Sequence, residues 1–261
     1  MKIPYYQVNA FTREPFGGNP AGVCELADWL PDRKLQAIAA ENNLSETAFL
    51  VRSASGYDLR WFTPQVEVDL CGHATLAGGL VVLRYLEPSL TRVEFNTRSG
   101  VLKVARKEGG LLALDFPSRK AKPCPLPSAL VAGLKARPQE IYLARDHLAV
   151  FDSEEVVRAM QPQMAELIQL DSLGVIVSAP GSKSDFVSRF FAPKVGIPED
   201  PVTGSAHCTL IPYWAERLHK TRLHALQLSA RGGELFCEDQ GERVSIAGYA
   251  VVYKEGQIYV D

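Results

Sequence analysis

Two glycines, each between a loop and an apolar run, mark where this chain can do chemistry. Cys71-Gly72-His73 leads into Ala74-Thr75-Leu76, and Thr203-Gly204-Ser205 leads into Ala206-His207-Cys208. A helix that begins at such a glycine exposes free backbone N–H groups and the positive end of its dipole. Two such ends aimed at one cleft are expected to hold a carboxylate or an enolate-like oxyanion. His73 adds a proton donor or an orienting group. Ser205 adds a neutral hydroxyl. Asp200, in Glu199-Asp200-Pro201, adds an acid that can fix a histidine tautomer or hold an amine. By spacing alone, Asp200 and Ser205 serve equally well as helix caps, and Asp69 is a further cap candidate.

The surroundings of the two glycines repeat. Arg60-Trp61-Phe62-Thr63-Pro64 leads after seven residues into Gly72, and Arg189-Phe190-Phe191-Ala192-Pro193 after ten into Gly204. Downstream, Val93 to Leu102 is echoed by Leu226 to Leu235. A duplicated strand–glycine–helix unit implies two similar lobes facing across a cleft. The copies differ at Glu46, which opens the apolar run Thr47 to Val51 where the second copy has Leu173 or Gly174. A carboxylate beside Phe49 and Leu50 is expected to be partly desolvated, which suits it to exchanging protons. Spacing alone favours a capping or solvated glutamate there.

The elements that must position these groups follow from periodicity. Alternation over Tyr6, Val8 and Ala10 predicts a strand, broken by Phe16-Gly17-Gly18-Asn19-Pro20, and Ala21 to Leu26 reads as the next. A helix follows Pro31, with Leu35, Ile38 and Ala39 on one face, ending at Glu41-Asn42-Asn43, where asparagine tolerates a left-handed cap. Thr47 to Val51 and Tyr57 to Phe62 read as a hairpin. From Gly72 on, Ala74, Leu76, Ala77, Leu80, Val81 and Leu83 are apolar all round, so that helix must be enclosed by a curved sheet. Strands over Val93 to Phe95, Val101 to Arg106 and Leu111 to Phe116 complete a first lobe, residues 1–117.

Pro117, Pro123, Pro125 and Pro127 mark 118–127 as a linker, and 128–249 as the second lobe. There, strands are expected over Ile141 to Ala144, Leu148 to Phe151, Gly174 to Ser178 and Phe186 to Phe191. Helices are expected from Ser153 to Met160, from Met164 to Leu170 and from Thr203 to Leu218, the last kinked or short of one hydrogen bond at Pro212. A closing hairpin, Tyr249 to Tyr253 with Gln257 to Val260 around Lys254-Glu255-Gly256, can cross back to the first lobe's sheet.

Bulk properties narrow the function. The 261 residues are 46% hydrophobic and 22% charged with a net charge of −2, a globular composition with no electrostatic footprint for nucleic acid or an anionic membrane. No apolar run is long enough to span a bilayer, and Met1-Lys2-Ile3-Pro4-Tyr5 has no leader pattern. Cys24, Cys71, Cys124, Cys208 and Cys237 are odd in number and scattered, which favours reduced thiols in a cytoplasmic compartment. Cys71, His73, His207 and Cys208 lack zinc-ligand spacing, so no metal is expected. Neither a P-loop nor a GxGxxG fingerprint is present, so no nucleotide cofactor is expected.

Val8-Asn9-Ala10-Phe11-Thr12, Gly18-Asn19-Pro20-Ala21-Gly22-Val23, Asn43-Leu44-Ser45-Glu46-Thr47-Ala48-Phe49, Cys71-Gly72-His73-Ala74-Thr75 and Glu199-Asp200-Pro201-Val202-Thr203-Gly204-Ser205-Ala206 resemble, in order and over nearly the whole chain, the PhzF family. The resemblance implies an α+β, diaminopimelate epimerase-like fold: two pseudo-symmetric lobes, each a rolled, mostly antiparallel sheet around a central helix. It implies a homodimeric isomerase that moves a proton within a small carboxylate, without cofactor. It makes Glu46 the acid/base, with His73 and Asp200 in support, and Asn19, Gly72, Gly204 and Ser205 substrate contacts.

Cys71-Gly72-His73-Ala74 departs from the Gly-His-Pro step of phenazine-pathway members and resembles the uncharacterised bacterial relatives, so a phenazine substrate is not implied. Cys71 also sits where epimerases of this fold keep one of two thiols, and is carried as a further candidate. The second lobe offers Pro201 to Thr203 instead, and threonine does not titrate near neutrality, so a two-base racemase lacks its second base. Two alternatives stay open: a Cys71-dependent amino-acid epimerase or racemase, and a non-catalytic ligand- or protein-binding relative.

Overall fold

Apolar side chains on the inner face of Lys2–Ala10 make that segment a half-buried strand, β1. The computed structural model describes residues 1–260, which divide into two units. One is Met1–Asp115 with the chain from Ala247 onward; the other is Phe116–Ile246. Among the described residues no helix is long and apolar enough to cross a membrane.

In the first unit, β1 is followed by β2 (Asn19–Leu26), α1 (Asp32–Asn42), β3 (Glu46–Ser53), β4 (Gly56–Phe62), β5 (Glu67–Val68), α2 (Gly72–Val81), β6 (Arg92–Thr97), β7 (Gly100–Arg106) and β8 (Leu112–Pro117). β1 and β2 pair antiparallel, β2 and β3 parallel, β3 and β4 antiparallel, β4 and β6 parallel, and β6 and β7 antiparallel. This sheet wraps α2, which packs on β1, β2, β3 and β7 and buries every residue but Leu80. The all-round apolar pattern is the cause, since no face of α2 gains from water. Close approach depends on Gly79, where an added Cβ would lie 2.5 Å from Val104 on β7. α1 covers the other face through Leu35, Ile38 and Ala39 against Phe49, Val51 and Phe62. It ends at Asn43, in the left-handed conformation that the asparagine pair anticipates.

The expected closing hairpin does not form. Ala250–Tyr259 is one strand, antiparallel to β1 from Ala10↔Ala250 to Lys2↔Tyr259, with a bulge opposite Gln7 and Val8. Lys254-Glu255-Gly256 lies within it, with Gly256 opposite Tyr5. A turn there would forfeit the ladder hydrogen bonds that the nine-residue β1 offers, and the long partner outweighs the local turn signal.

The second unit contains β9 (Lys122–Pro123), α3 (Ser128–Leu134), β10 (Glu140–Leu143), β11 (His147–Val150), α4 (Glu154–Ala159), α5 (Met164–Leu167), β12 (Val175–Pro180), β13 (Phe186–Ala192), β14 (Ile197–Asp200), α6 (Gly204–Leu218), β15 (Arg222–Gln227), β16 (Gly233–Asp239) and β17 (Arg243–Gly248). From β10 to β16 the pairings run antiparallel, parallel, antiparallel, parallel, antiparallel, the same alternation as β1 to β7. The sequence repeat is therefore a repeat of topology.

Residues 118–127 are laid onto this unit rather than strung as a linker. Pro123 pairs with Tyr142, and the amides of Ser118, Arg119 and Cys124 donate to Glu242, Cys208 and Ile141 carbonyls. The Arg119 bond also accounts for Pro212. Proline cannot donate to the carbonyl of Cys208 four residues back, and the Arg119 amide takes its place at 2.9 Å, so α6 runs unbroken to Leu218. α3 follows Pro127 and has no counterpart in the sequence expectations.

Candidate active site

In the first unit three loop–element junctions bring Asn19, Glu46, Cys71 and His73 together. Asn19 starts β2, Glu46 starts β3 beside it, and Cys71 is the cap residue before α2, with His73 in the first turn. All four are buried, with Glu46 at 8% and His73 at 3% exposure. His73 Nε2 lies 3.1 Å from Glu46 Oε2, and His73 Nδ1 lies 3.1 Å from Asn19 Nδ2. Cys71 Sγ is 3.6 Å from Nδ1 and 4.0 Å from Nε2. The Glu46–His73 contact is close but poorly aligned for an N–H···O bond, so Oε2 lacks a well-directed donor.

Complete burial disfavours a charged His73, but its interactions with Cys71 and Glu46 favour it and prevail, holding the ring well above the usual histidine range. The Cys71 thiol is itself pushed up to about 11, by burial first and then by the Glu46 carboxylate. At neutral pH it is a thiol. A half-turn of the Asn19 amide presents either its NH2 to a neutral Nδ1 or its oxygen to an Nδ1–H, so this side chain can serve both charge states.

In the second unit the residues before α6 form a closed network. Thr203 Oγ1 donates to Asp200 Oδ2 at 2.5 Å. Gln227 on β15 spans the turn: its Nε2 donates to the Asp200 carbonyl and Thr203 Oγ1, and its Oε1 accepts from the Thr203 amide. Thr203, the cap residue, makes no side-chain capping bond, because its hydroxyl is committed to Asp200. At Ser205 the Oγ accepts from Arg145 Nη2 at 2.9 Å, which leaves the hydroxyl proton available to another oxygen. Arg145, in the turn between β10 and β11, is held by two bonds to the fully buried Asp146. His207 donates from Nδ1 to the Thr203 carbonyl, and burial lowers it to about 4, so it is neutral.

The two halves share an ion-pair arrangement. Arg60 on β4 grips Glu67 on β5 through two bonds of 2.7 Å, and Arg189 on β13 grips Glu199 on β14 through bonds of 2.7 and 3.0 Å. Each fork pins the loop that ends at a glycine. Arg145 and Gln227 carried no spacing signal in the sequence. The forks did: a glutamate stands five residues before each glycine, Glu67 before Gly72 and Glu199 before Gly204.

Comparison with known proteins adds to this geometry. Residues 8–256 match the family model PhzC-PhzF, described as phenazine biosynthesis-like protein. The chain belongs to this family. An uncharacterized isomerase of Pseudomonas aeruginosa is 52% identical over 260 residues, covering all of both chains. A crystal structure of a phenazine biosynthesis protein of the PhzF family from Enterococcus faecalis superposes with a TM-score of 0.96 at 48% identity, again over all of both chains. A hydroxyproline epimerase from Agrobacterium vitis has a TM-score of 0.63 at 11% identity, covering 98% of this chain and 91% of that one, and shares the epimerase-like fold.

Proposed function

We propose that this family member is a cofactor-independent isomerase that moves a proton within a small carboxylate substrate, with Glu46 as the single acid/base. The observation that carries the reading is the Glu46–His73 pair: a buried carboxylate 3.1 Å from a buried imidazole, with one oxygen short of a directed donor. Such an oxygen takes a proton from carbon alpha or vinylogous to an acid group and returns it at another carbon. The His73 imidazolium stabilises the negative charge that develops meanwhile. Asp200 and Ser205 enter the proposal through the family resemblance. Arg145 supports a carboxylate substrate, because its guanidinium, paired with Asp146, stands beside Ser205.

The isomerase name of the relative at 52% identity agrees with this reaction class. A Cys71-dependent epimerase finds less support, since a thiol held near 11 supplies little thiolate at neutral pH. The test is solvent-deuterium incorporation, followed by NMR, into a panel of unsaturated and hydroxylated carboxylates. Wild-type protein should label at least one of them and Glu46→Gln none. Undiminished labelling by Glu46→Gln would sink the assignment.

A further inference from the structure

Glu46, Cys71 and His73 each offer one ligand atom, and these atoms lie within 4.8 Å of one another. We propose that they form a binding site for a thiophilic divalent cation, zinc foremost, which competes with proton transfer. The separations suit the ion. Tetrahedral zinc, with bonds of about 2.0–2.3 Å, sets its ligand atoms roughly 3.3–3.7 Å apart. Here Nε2–Oε2 is 3.1 Å and Nε2–Sγ is 4.0 Å, so small side-chain adjustments admit it.

The chemistry of the set points the same way. Thiolate, imidazole and carboxylate are the zinc ligand types, and one thiolate with one carboxylate balances a double positive charge in a buried place. Three protein ligands leave a fourth position, and the Glu46 carboxylate, at 11% side-chain exposure, is the most open of the charged partners. The outer shell is present as well. A zinc-bound imidazole donates its other N–H to a fixed oxygen, and the Asn19 amide stands 3.1 Å from Nδ1 to accept it once turned over. The positive end of α2 opposes a cation yet favours the thiolate that zinc requires. Among the described residues no other three such side chains converge.

An ion held there engages both the carboxylate and the imidazole, so occupancy and turnover exclude one another. The metal site does not depend on the isomerase reading; its competition with proton transfer rests on it. The experiment is titration of the full-length, metal-free protein with cobalt(II), followed by zinc displacement. We expect one equivalent to bind with a thiolate-to-cobalt charge-transfer band. That band should vanish in Cys71→Ser and persist in Cys208→Ser, and Glu46→Gln should weaken binding at least tenfold. Zinc-edge X-ray absorption of the wild-type protein, which needs no variant to fold, should show one sulfur at about 2.3 Å with nitrogen and oxygen at about 2.0–2.2 Å. A sulfur-free zinc shell, or a charge-transfer band that survives Cys71→Ser, overturns the proposal. Deuterium labelling without cobalt binding removes the metal site alone, and cobalt binding without labelling removes the isomerase reading alone.

Discussion

Arg189 and Glu199 form a two-pronged ion pair, and the same guanidinium donates through Nη1 to the carbonyls of Val157 and Met160. One side chain, nine-tenths buried, thus ties β13 to β14 and to the end of α4. Arg60 does the first of these jobs for Glu67 but reaches the exposed Asp32 instead of buried carbonyls, and Arg98 shares Glu67.

The two forks should therefore differ in worth. Arg189→Ala strands a carboxylate and two buried carbonyls and should cost about 3–5 kcal/mol. Arg60→Ala leaves Glu67 with Arg98 and should cost about 1–2 kcal/mol. Urea denaturation of the two variants measures both, and equal losses would contradict the distinction.

Glu46 and Cys71 should separate in kinetics. Glu46→Gln should lower proton exchange by roughly 10²–10⁴-fold, as removal of a general acid/base does. Cys71→Ser should stay within about tenfold of wild type, because the thiol is protonated at neutral pH. The reverse pattern is that of a thiol-dependent epimerase.

Stability should fall on both sides of neutrality, for opposite reasons. His73 is raised in the folded protein, so its contribution is complete below about pH 6.5 and is lost as pH climbs through its native value. His207 is lowered to about 4, so its contribution is present above pH 6.5 and is lost as pH drops toward 4. Unfolding free energy at stepped pH should decline less on the alkaline side in His73→Gln and less on the acid side in His207→Gln.

On the proposed reaction, Arg145→Met should raise KM for a carboxylate by roughly 10–100-fold with a smaller change in kcat, as loss of a charged hydrogen bond made in both ground and transition states does. It also leaves Asp146 buried without its partner, at a cost of about 1–3 kcal/mol. Steady-state kinetics beside thermal unfolding separates the two effects, and adding Asp146→Asn should restore much of the stability without restoring KM.

Much of this was legible in the chain. Periodicity located α2, and its apolar circumference required enclosure by strands. The Arg-aromatic-Phe repeat anticipated matching units, and their pairings alternate identically. Glu46 is the instructive case, because spacing alone favoured a solvated glutamate. The parallel register of β3 on β2, with Glu46 opposite Ala21, brings it beside His73, and pairing between strands is a long-range property. Arg145 and Gln227 were illegible for the same reason, since each acts on a residue distant in sequence. Lys254-Glu255-Gly256 misled in the opposite direction, as a local turn signal overridden by a long partner strand.

That partner strand has a consequence for synthesis. β1 leaves the ribosome about 240 residues ahead of the strand that pairs along its whole length, as the match of Ala10 with Ala250 shows. At ordinary rates of translation, about 5–20 residues per second, its edge waits roughly ten seconds or more for that strand. During that interval it is an unpaired edge open to other strands. Nascent chains truncated before Ala250 should accordingly be captured by chaperones or aggregate, whereas chains extended through Tyr259 can seal the edge.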